Sequence, residues 1–314
     1  MLAFVCLSKG TRIYREGDPE MALDQSYKKY KTMLFGLAYR ILGIAADAED
    51  IVQDVFAQFM QVDESRIANV KAFLTKMTVN RCINLLNSAS RRREIYTGPW
   101  LPEPLPTGLN TGIGSLDPVE RRETVGYAYL VLMQQLTPIE RSIYILKETF
   151  GFKYRDIAEM LGKTETSCRK TFSRANQKVG HAQVEDQQPS EAQKKAQEQF
   201  VEAFLCASDT GNFKPLLSFL TDEVTLVTDG GGKVRAALNP ILGIARVQAF
   251  LEGLAAKGSV WEGFVPARLN GEPGLLQKRD GRVVMAVTAD WELNGSRIRH
   301  LYFILNPDKL THFN

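Results

Sequence analysis

The sequence predicts a multidomain chain: two small all-α domains, the second with a helix-turn-helix, followed by a domain of the α+β class. Three observations lead there. Apolar residues recur at helical spacing from Ala22 to Ile95 and again from Val125 to Val179. From Ser190 onward the texture changes to a helix followed by short strands. The stretches between these blocks are rich in proline, glycine and polar residues and read as linkers. The organisation is then an N-terminal arm at residues 1–21, a helical domain at 22–95, a linker at 96–124, a helix-turn-helix domain at 125–180, a second linker at 181–189 and the α+β domain at 190–314.

The net charge of +3 over 314 residues is too small to imply a nucleic-acid partner by itself, so any basic surface must be local. Cys6, Cys82, Cys168 and Cys206 lie far apart without C-x-x-C pairing, which fits reduced thiols in a cytoplasmic protein and implies neither a metal site nor a disulfide framework. Met1 to Ser8 is apolar but short, with no basic n-region and no cleavage site, so it makes a poor signal peptide. No run approaches the roughly 20 apolar residues that span a bilayer, so no membrane partner is expected.

In the first domain Tyr27, Tyr30, Leu34, Leu37 and Ile41 make one helical stripe, which Gly43 stops. The next helix is expected to begin at Asp47, whose carboxylate would cap free backbone N–H groups. Ile51, Val52, Val55, Phe56 and Phe59 form its core face. Asp47, Asp50, Asp54 and Gln58 line the other face, with Glu49 and Gln53 beside them. Two readings stand for this acidic face: a favourable interaction with the helix dipole, or a surface for a basic protein partner.

A third helix starts near Val70. Lys76, Asn80, Asn84, Asn87 and Arg91 recur at spacings of three or four and share one face, with Val70, Leu74, Met77, Cys82, Leu85 and Ala89 on the apolar remainder. A cationic, amide-rich face running into Arg91-Arg92-Arg93 suits a nucleic-acid backbone and exposed bases; a solvated surface is the plainer alternative.

In the second domain Thr137-Pro138-Ile139-Glu140 is a capping box with proline at the first helical position. A short helix with Ile157, Ala158 and Leu161 inward ends at Gly162, and Thr164 caps another with Cys168, Phe172, Ala175 and Val179 inward. This is the grammar of a DNA-binding helix-turn-helix, although helical hairpins without DNA function share it. Base-edge contacts are expected from the first turns, from Thr166, Ser167, Arg169 and Lys170. Arg174 and Lys178 better suit phosphates.

In the last domain Ser190 caps a helix with Phe200, Phe204 and Leu205 inward, followed by a short piece near Pro215 to Leu220. Strands are expected at Glu223–Thr228, Val234–Leu238, Phe264–Leu269, Leu275–Arg279, Arg282–Leu293 and Arg297–Asn306, with a helix at Ile244–Ala256. They would form a curved antiparallel sheet, with Asn294-Gly295 as the last hairpin turn.

Taken together, these residues resemble a known family. The segment Ala46-Asp47-Ala48-Glu49-Asp50-Ile51-Val52-Gln53-Asp54-Val55-Phe56 resembles the polymerase-binding helix of bacterial extracytoplasmic-function sigma factors. Asn80-Arg81-Cys82-Ile83-Asn84 resembles their −10-reading segment, and residues 137–179 resemble their −35-reading domain. Trp100-Leu101-Pro102-Glu103-Pro104, Asp229-Gly230-Gly231-Gly232-Lys233 and Asn306-Pro307-Asp308-Lys309-Leu310 resemble the subgroup with a fused SnoaL-like (NTF2-like), cone-shaped C-terminal domain.

The resemblance implies an alternative sigma factor whose partners are core RNA polymerase and promoter DNA, without a cofactor. Asp47, Glu49, Asp50, Gln53 and Asp54 would dock on the polymerase clamp. Lys76, Asn80, Arg81, Asn84, Asn87, Arg91 and Arg92 would engage the −10 strand, with Asn80 and Asn84 reading a base exposed by melting. Trp100, Leu101 and Pro102, together with residues 229–233 and 306–310, would regulate the helical domains by direct contact.

Two other readings stay open. In one, a DNA-binding unit is fused to a SnoaL-like small-molecule enzyme or ligand sensor. Asp290 and His300 would then form an acid–base pair in the cone-shaped pocket, against the plainer reading of a hairpin Asp and His. On this pattern Val284, Ala286, Thr288 and Asp290 share one face, and Ile298, His300, Tyr302 and Ile304 another. The Asp229–Lys233 loop would cradle an anion or make a bare turn. The other reading is a repressor acting without polymerase, which leaves the acidic helix without a purpose.

Overall fold

The computed structural model describes residues 19–63, 66–93, 96–107, 126–180, 190–257, 261–292 and 296–314. The helical part consists of α1 (Pro19–Leu42), α2 (Ala45–Phe59), α3 (Val70–Arg93), α4 (Tyr127–Met133), α5 (Pro138–Glu148), α6 (Tyr154–Leu161) and α7 (Glu165–Val179). The Thr137 capping box forms as its spacing predicts, and the Thr164 side chain caps α7. Gly162 closes α6 in the left-handed region at φ +61, a conformation that glycine adopts without steric cost.

One apolar cluster runs through both helical units, joining Leu34, Val52, Val79, Leu130, Ile143 and Cys168. Arg141 of α5 is buried at their junction and donates to the Ile41 carbonyl at 2.7 Å. The two units therefore pack as neighbours with a common core, which their separate periodicities do not reveal.

The C-terminal part follows as α8 (Glu191–Thr210), α9 (Lys214–Leu217), β1 (Leu220–Asp229), β2 (Ile241–Leu242), α10 (Ile244–Ala255), β3 (Phe264–Leu269), β4 (Glu272–Arg279), β5 (Arg282–Trp291) and β6 (Ile298–Ile304). This is the expected α+β arrangement, with two corrections. The sheet order is β2-β1-β6-β5-β4-β3, and β1 pairs with β6 in parallel, so the sheet is mixed and not purely antiparallel. Periodicity marks strands but cannot choose their partners. Residues 234–238 are also not a strand. The chain there turns tightly, with Val234 N–H donating to Gly230, and leaves Val234 and Leu238 exposed.

Helices α8, α9 and α10 cover one face of the sheet through Phe200, Phe204, Leu216, Val247 and Leu251. The opposite face carries Leu276, Ala286, Tyr302 and Ile304. Leu101, Tyr127 and Leu310 cover that second face. A piece of the linker, the first residue of α4 and the C-terminal tail thus share a single apolar layer. Residues 96–107 are packed against the protein, contrary to the extended linker expected there. Prolines and glycines in a sequence mark irregular backbone, which is not the same as exposed backbone. Residues 108–124, the linker at 181–189, the arm to residue 18 and the Asn294-Gly295 turn lie outside the described residues.

Candidate functional site

The acidic helix is built as its pattern requires. Ala48, Ile51, Val52, Val55, Phe56 and Phe59 are buried; Asp50, Gln53 and Asp54 are exposed, and Asp47 and Glu49 are half-buried. Its N-terminus is a correction. The helix starts at Ala45, and the acceptor for Ala45 N–H is the Glu103 carboxylate at 2.7 Å, from the linker, in place of Asp47. Glu103 is held on every side. Its N–H donates to the Gly43 carbonyl at 2.8 Å, its carbonyl accepts from Tyr39 Oη at 2.6 Å, and His312 Nδ1 lies 2.6 Å from its other carboxylate oxygen. Burial pushes the Glu103 carboxyl above the usual range, opposed by the Ala45 N–H and by His312.

On α3 the predicted face is only partly free. Lys76, Asn84 and Asn87 are exposed. Asn80 is half-buried, and its Nδ2 lies 3.4 Å from the Met160 carbonyl of α6. Arg81 turns toward α2, donating to Asp54 and to Gln58 at 3.0 Å each. Asp47, Asp50, Asp54, Arg81, Asn84 and Ser88 line one open groove between the two helices, so the acidic face and the amide face meet. The side chains of Arg91 and Arg92 lie outside the described residues.

Helix α7 presents Thr166, Ser167, Arg169, Lys170, Arg174 and Lys178 to solvent over buried Cys168, Ala175 and Val179. The Arg169 guanidinium bridges Glu165 at 2.6 Å and lies 4.6 Å over the Tyr154 ring, which pre-orients it. Lys178 pairs with the capping-box carboxylate of Glu140 at 2.7 Å.

The linker, loop and tail motifs, far apart in sequence, come together. The fully buried Asp229 carboxylate accepts from Tyr96 Oη at 2.6 Å, Leu101 N–H at 2.8 Å, Gly231 N–H at 3.0 Å and Lys309 Nζ at 2.7 Å. Lys309, itself buried, also donates to the Leu101 carbonyl and stands 4.1 Å from the centre of the Trp100 ring. Gly231 is needed because any Cβ there would strike the Asn306 amide, and at φ +61 the backbone itself favours glycine. Asn306 donates to Tyr96 Oη, and Lys233 bridges Asp308 at 2.6 Å on the surface. Gly230 and Gly232 complete the loop, Pro307 opens the tail's short turn, and Leu310 is buried. The Pro102 carbonyl accepts from Tyr127 Oη at 2.7 Å. An anion cradle at residues 229–233 is not formed. The loop's own Asp229 carboxylate takes the Gly231 N–H.

Asp290 and His300 do pair, at 2.8 Å between Oδ2 and Nδ1. They lie on the sheet face opposite to α8–α10 and outside the cone interior, which corrects the placement of a pocket around them. The register shift between Asp290 and Trp291 explains it. Ile298 packs inward opposite Trp291, whereas His300, Tyr302 and Ile304 face the other way. Sequence reasoning missed Tyr39, Tyr96, Tyr127, Asn270 and His312, which satisfy or orient the linker. A charged Glu103 between two prolines and an apolar neighbour was the available signal.

No described helix is long and apolar enough to cross a membrane. Among the described residues no group of three His, Cys, Asp or Glu is placed to hold a metal ion.

Comparison with known proteins bears on both helical units. Residues 26–92 match the family description of Sigma-70 region 2, and residues 127–179 match that of Sigma-70, region 4. The chain is 32% identical over 296 residues to the ECF RNA polymerase sigma factor SigJ of Mycobacterium tuberculosis, covering 91% of this chain and 92% of that one. A probable ECF RNA polymerase sigma factor, SigI of the same species, is 29% identical over 213 residues, 66% of this chain and 69% of the other. The crystal structure of M. tuberculosis SigJ is similar over 92% of this chain and 98% of its own, with a TM-score of 0.72 and 27% identity.

Proposed function

The chain belongs to the extracytoplasmic-function sigma factors of RNA polymerase, and on that premise we propose how its parts divide the work. It is an alternative sigma factor that brings core polymerase to promoters and initiates transcription. The exposed carboxylates Asp50 and Asp54, flanked by Asp47, Glu49 and Gln53, dock on a basic surface of the polymerase. Asn80 and Asn84 read an unstacked base of the −10 element, with Lys76, Asn87, Arg91 and Arg92 along the strand. Helix α7 enters the −35 major groove, led by Arg169 and Lys170.

The C-terminal domain regulates these functions in cis and performs no catalysis. The single observation that carries this reading is the Asp229–Lys309 pair. It ties the linker, the loop and the tail into one buried cluster whose neighbour, Glu103, holds the first turn of the proposed polymerase-docking helix. Support for a non-catalytic domain comes from Asp290 and His300 lying outside the helix-covered interior. Asn80 resting against Met160 fits a resting state in which the −10 face is partly covered, from which polymerase selects an open arrangement.

Transcription in vitro with core polymerase tests it, comparing the full chain with a deletion of residues 306–310. The expected result is altered output with polymerase binding and duplex −35 binding retained. Wild-type output from the deletion would sink the regulatory reading.

A further inference from the structure

Glu272, on β4, sits in the seam between α4 and the C-terminal sheet. Its carboxylate accepts the backbone N–H of Tyr127 at the start of α4 and lies so close to Gly126 that a Cβ there would stand 2.8 Å from Oε1. The β4–β5 register, with Leu275 opposite Val287, brings Glu272 level with Asp290 on the same sheet face. Two carboxylates on adjacent strands therefore lie under the helix that opens the second helical unit.

The charged and titratable groups around Glu272, among the described residues, come from each packed element. Arg268 lies on β3, with one nitrogen bonded to the Gly271 carbonyl. Asp290 lies on β5. On β6 are Arg299 and His300, both bonded to Asp290, and Tyr302. Tyr127 of α4 spends its hydroxyl on Pro102. Arg299 and His300 are thus directed to Asp290, and Arg268 is the cation that acts on Glu272.

We propose that Glu272 is a proton-operated latch, holding α4 on the C-terminal sheet when protonated and loosening it when ionised. Loss of water is the main reason, and the facing Asp290 adds to it; together they raise the carboxyl from 4.5 to about 7 in the docked arrangement, against the opposing pull of Tyr127 N–H and Arg268. The sign follows from linkage. Docking takes up a proton, so the latch is fully closed below the ordinary carboxylate range and opens as pH rises through neutrality. Between pH 6 and 8 the docking constant should fall about tenfold. The role of such opening rests on the cis-regulatory reading above, in which polymerase selects an open arrangement; loosening α4 from the sheet would free the second helical unit to move away from the −10 face.

Hydrogen exchange of the full-length chain tests the latch at residues 127–133, corrected for the intrinsic pH dependence of exchange. Wild-type protection should fall about tenfold from pH 6 to 8. Glu272→Gln keeps an oxygen for Tyr127 N–H and should show protection that is the same at both values and above that of the wild type. Asp290→Asn should move the wild-type fall to lower pH. A flat wild-type profile overturns the latch. So does a Glu272→Gln profile with the wild-type slope, which would assign the pH dependence to a group other than Glu272. Exchange reads the seam without transcription, so either outcome removes the latch while the deletion of residues 306–310 still decides the regulatory reading.

Discussion

Lys309 and Asp229 meet at 2.7 Å with their side chains 4% and 0% exposed, 80 residues apart in the chain. An ammonium and a carboxylate so enclosed are tolerable only because every charge has partners. Asp229 has Tyr96, Leu101 and Gly231; Lys309 has the Leu101 carbonyl and the Trp100 ring. Lys309→Met leaves Asp229 charged, buried and short of its cation, and should cost about 3–5 kcal/mol in chemical denaturation. A loss below about 1 kcal/mol would mean that the pair is dispensable.

Asp50→Lys should weaken core polymerase binding while the fold survives, because the side chain is exposed and lies opposite the buried stripe of α2. Charge reversal against a basic surface typically costs several kcal/mol, so the shift in a titration with core enzyme should be large. Asp54→Lys should behave the same way with a small stability loss of its own, since the exposed Asp54–Arg81 pair contributes little. Unchanged affinity in both variants would move the docking surface elsewhere.

Arg169→Ala should cost about 1–3 kcal/mol at one base of the −35 element and relax the preference there, as expected for a guanidinium on a guanine edge. Arg174→Ala should instead weaken every sequence alike and flatten the salt dependence. Binding to a panel of single-base promoter variants separates the two, and uniform weakening by Arg169→Ala would reassign it to phosphate.

Asn80→Ala should impair promoter melting more than closed-complex binding, because its proposed partner base is free only after the duplex opens. It also removes the contact to the Met160 carbonyl, so the helical units should separate more readily. Permanganate reactivity and duplex binding measured on the same promoter decide the matter; equal loss in both argues against base readout.

Much of the helical architecture could be read directly from residue order. The Thr137 box, the Gly162 turn and the Thr164 cap are local features, satisfied within a few residues, and they form where their spacing places them. The face of α7 is legible for the same reason. A carboxylate such as Asp47 is the frequent local cap for a helix N-terminus, and here a nonlocal one, Glu103, takes its place. Strict alternation puts His300 and Ile298 on one face only where no bulge intervenes, and here one does.

What residue order determined by itself is therefore what depends on near neighbours: helix starts and stops, the apolar stripes, the resemblance carried by short motifs, and the texture change at Ser190. What only the tertiary structure decided is where the unpaired polar groups of one segment find their partners in another. Asp229 needs Leu101 and Lys309, Ala45 needs Glu103, and Asn80 meets Met160. These contacts span 58 to 128 residues. No periodicity encodes such separations. They arise because buried donors and acceptors must be satisfied, and only the folded chain brings the matching groups within reach.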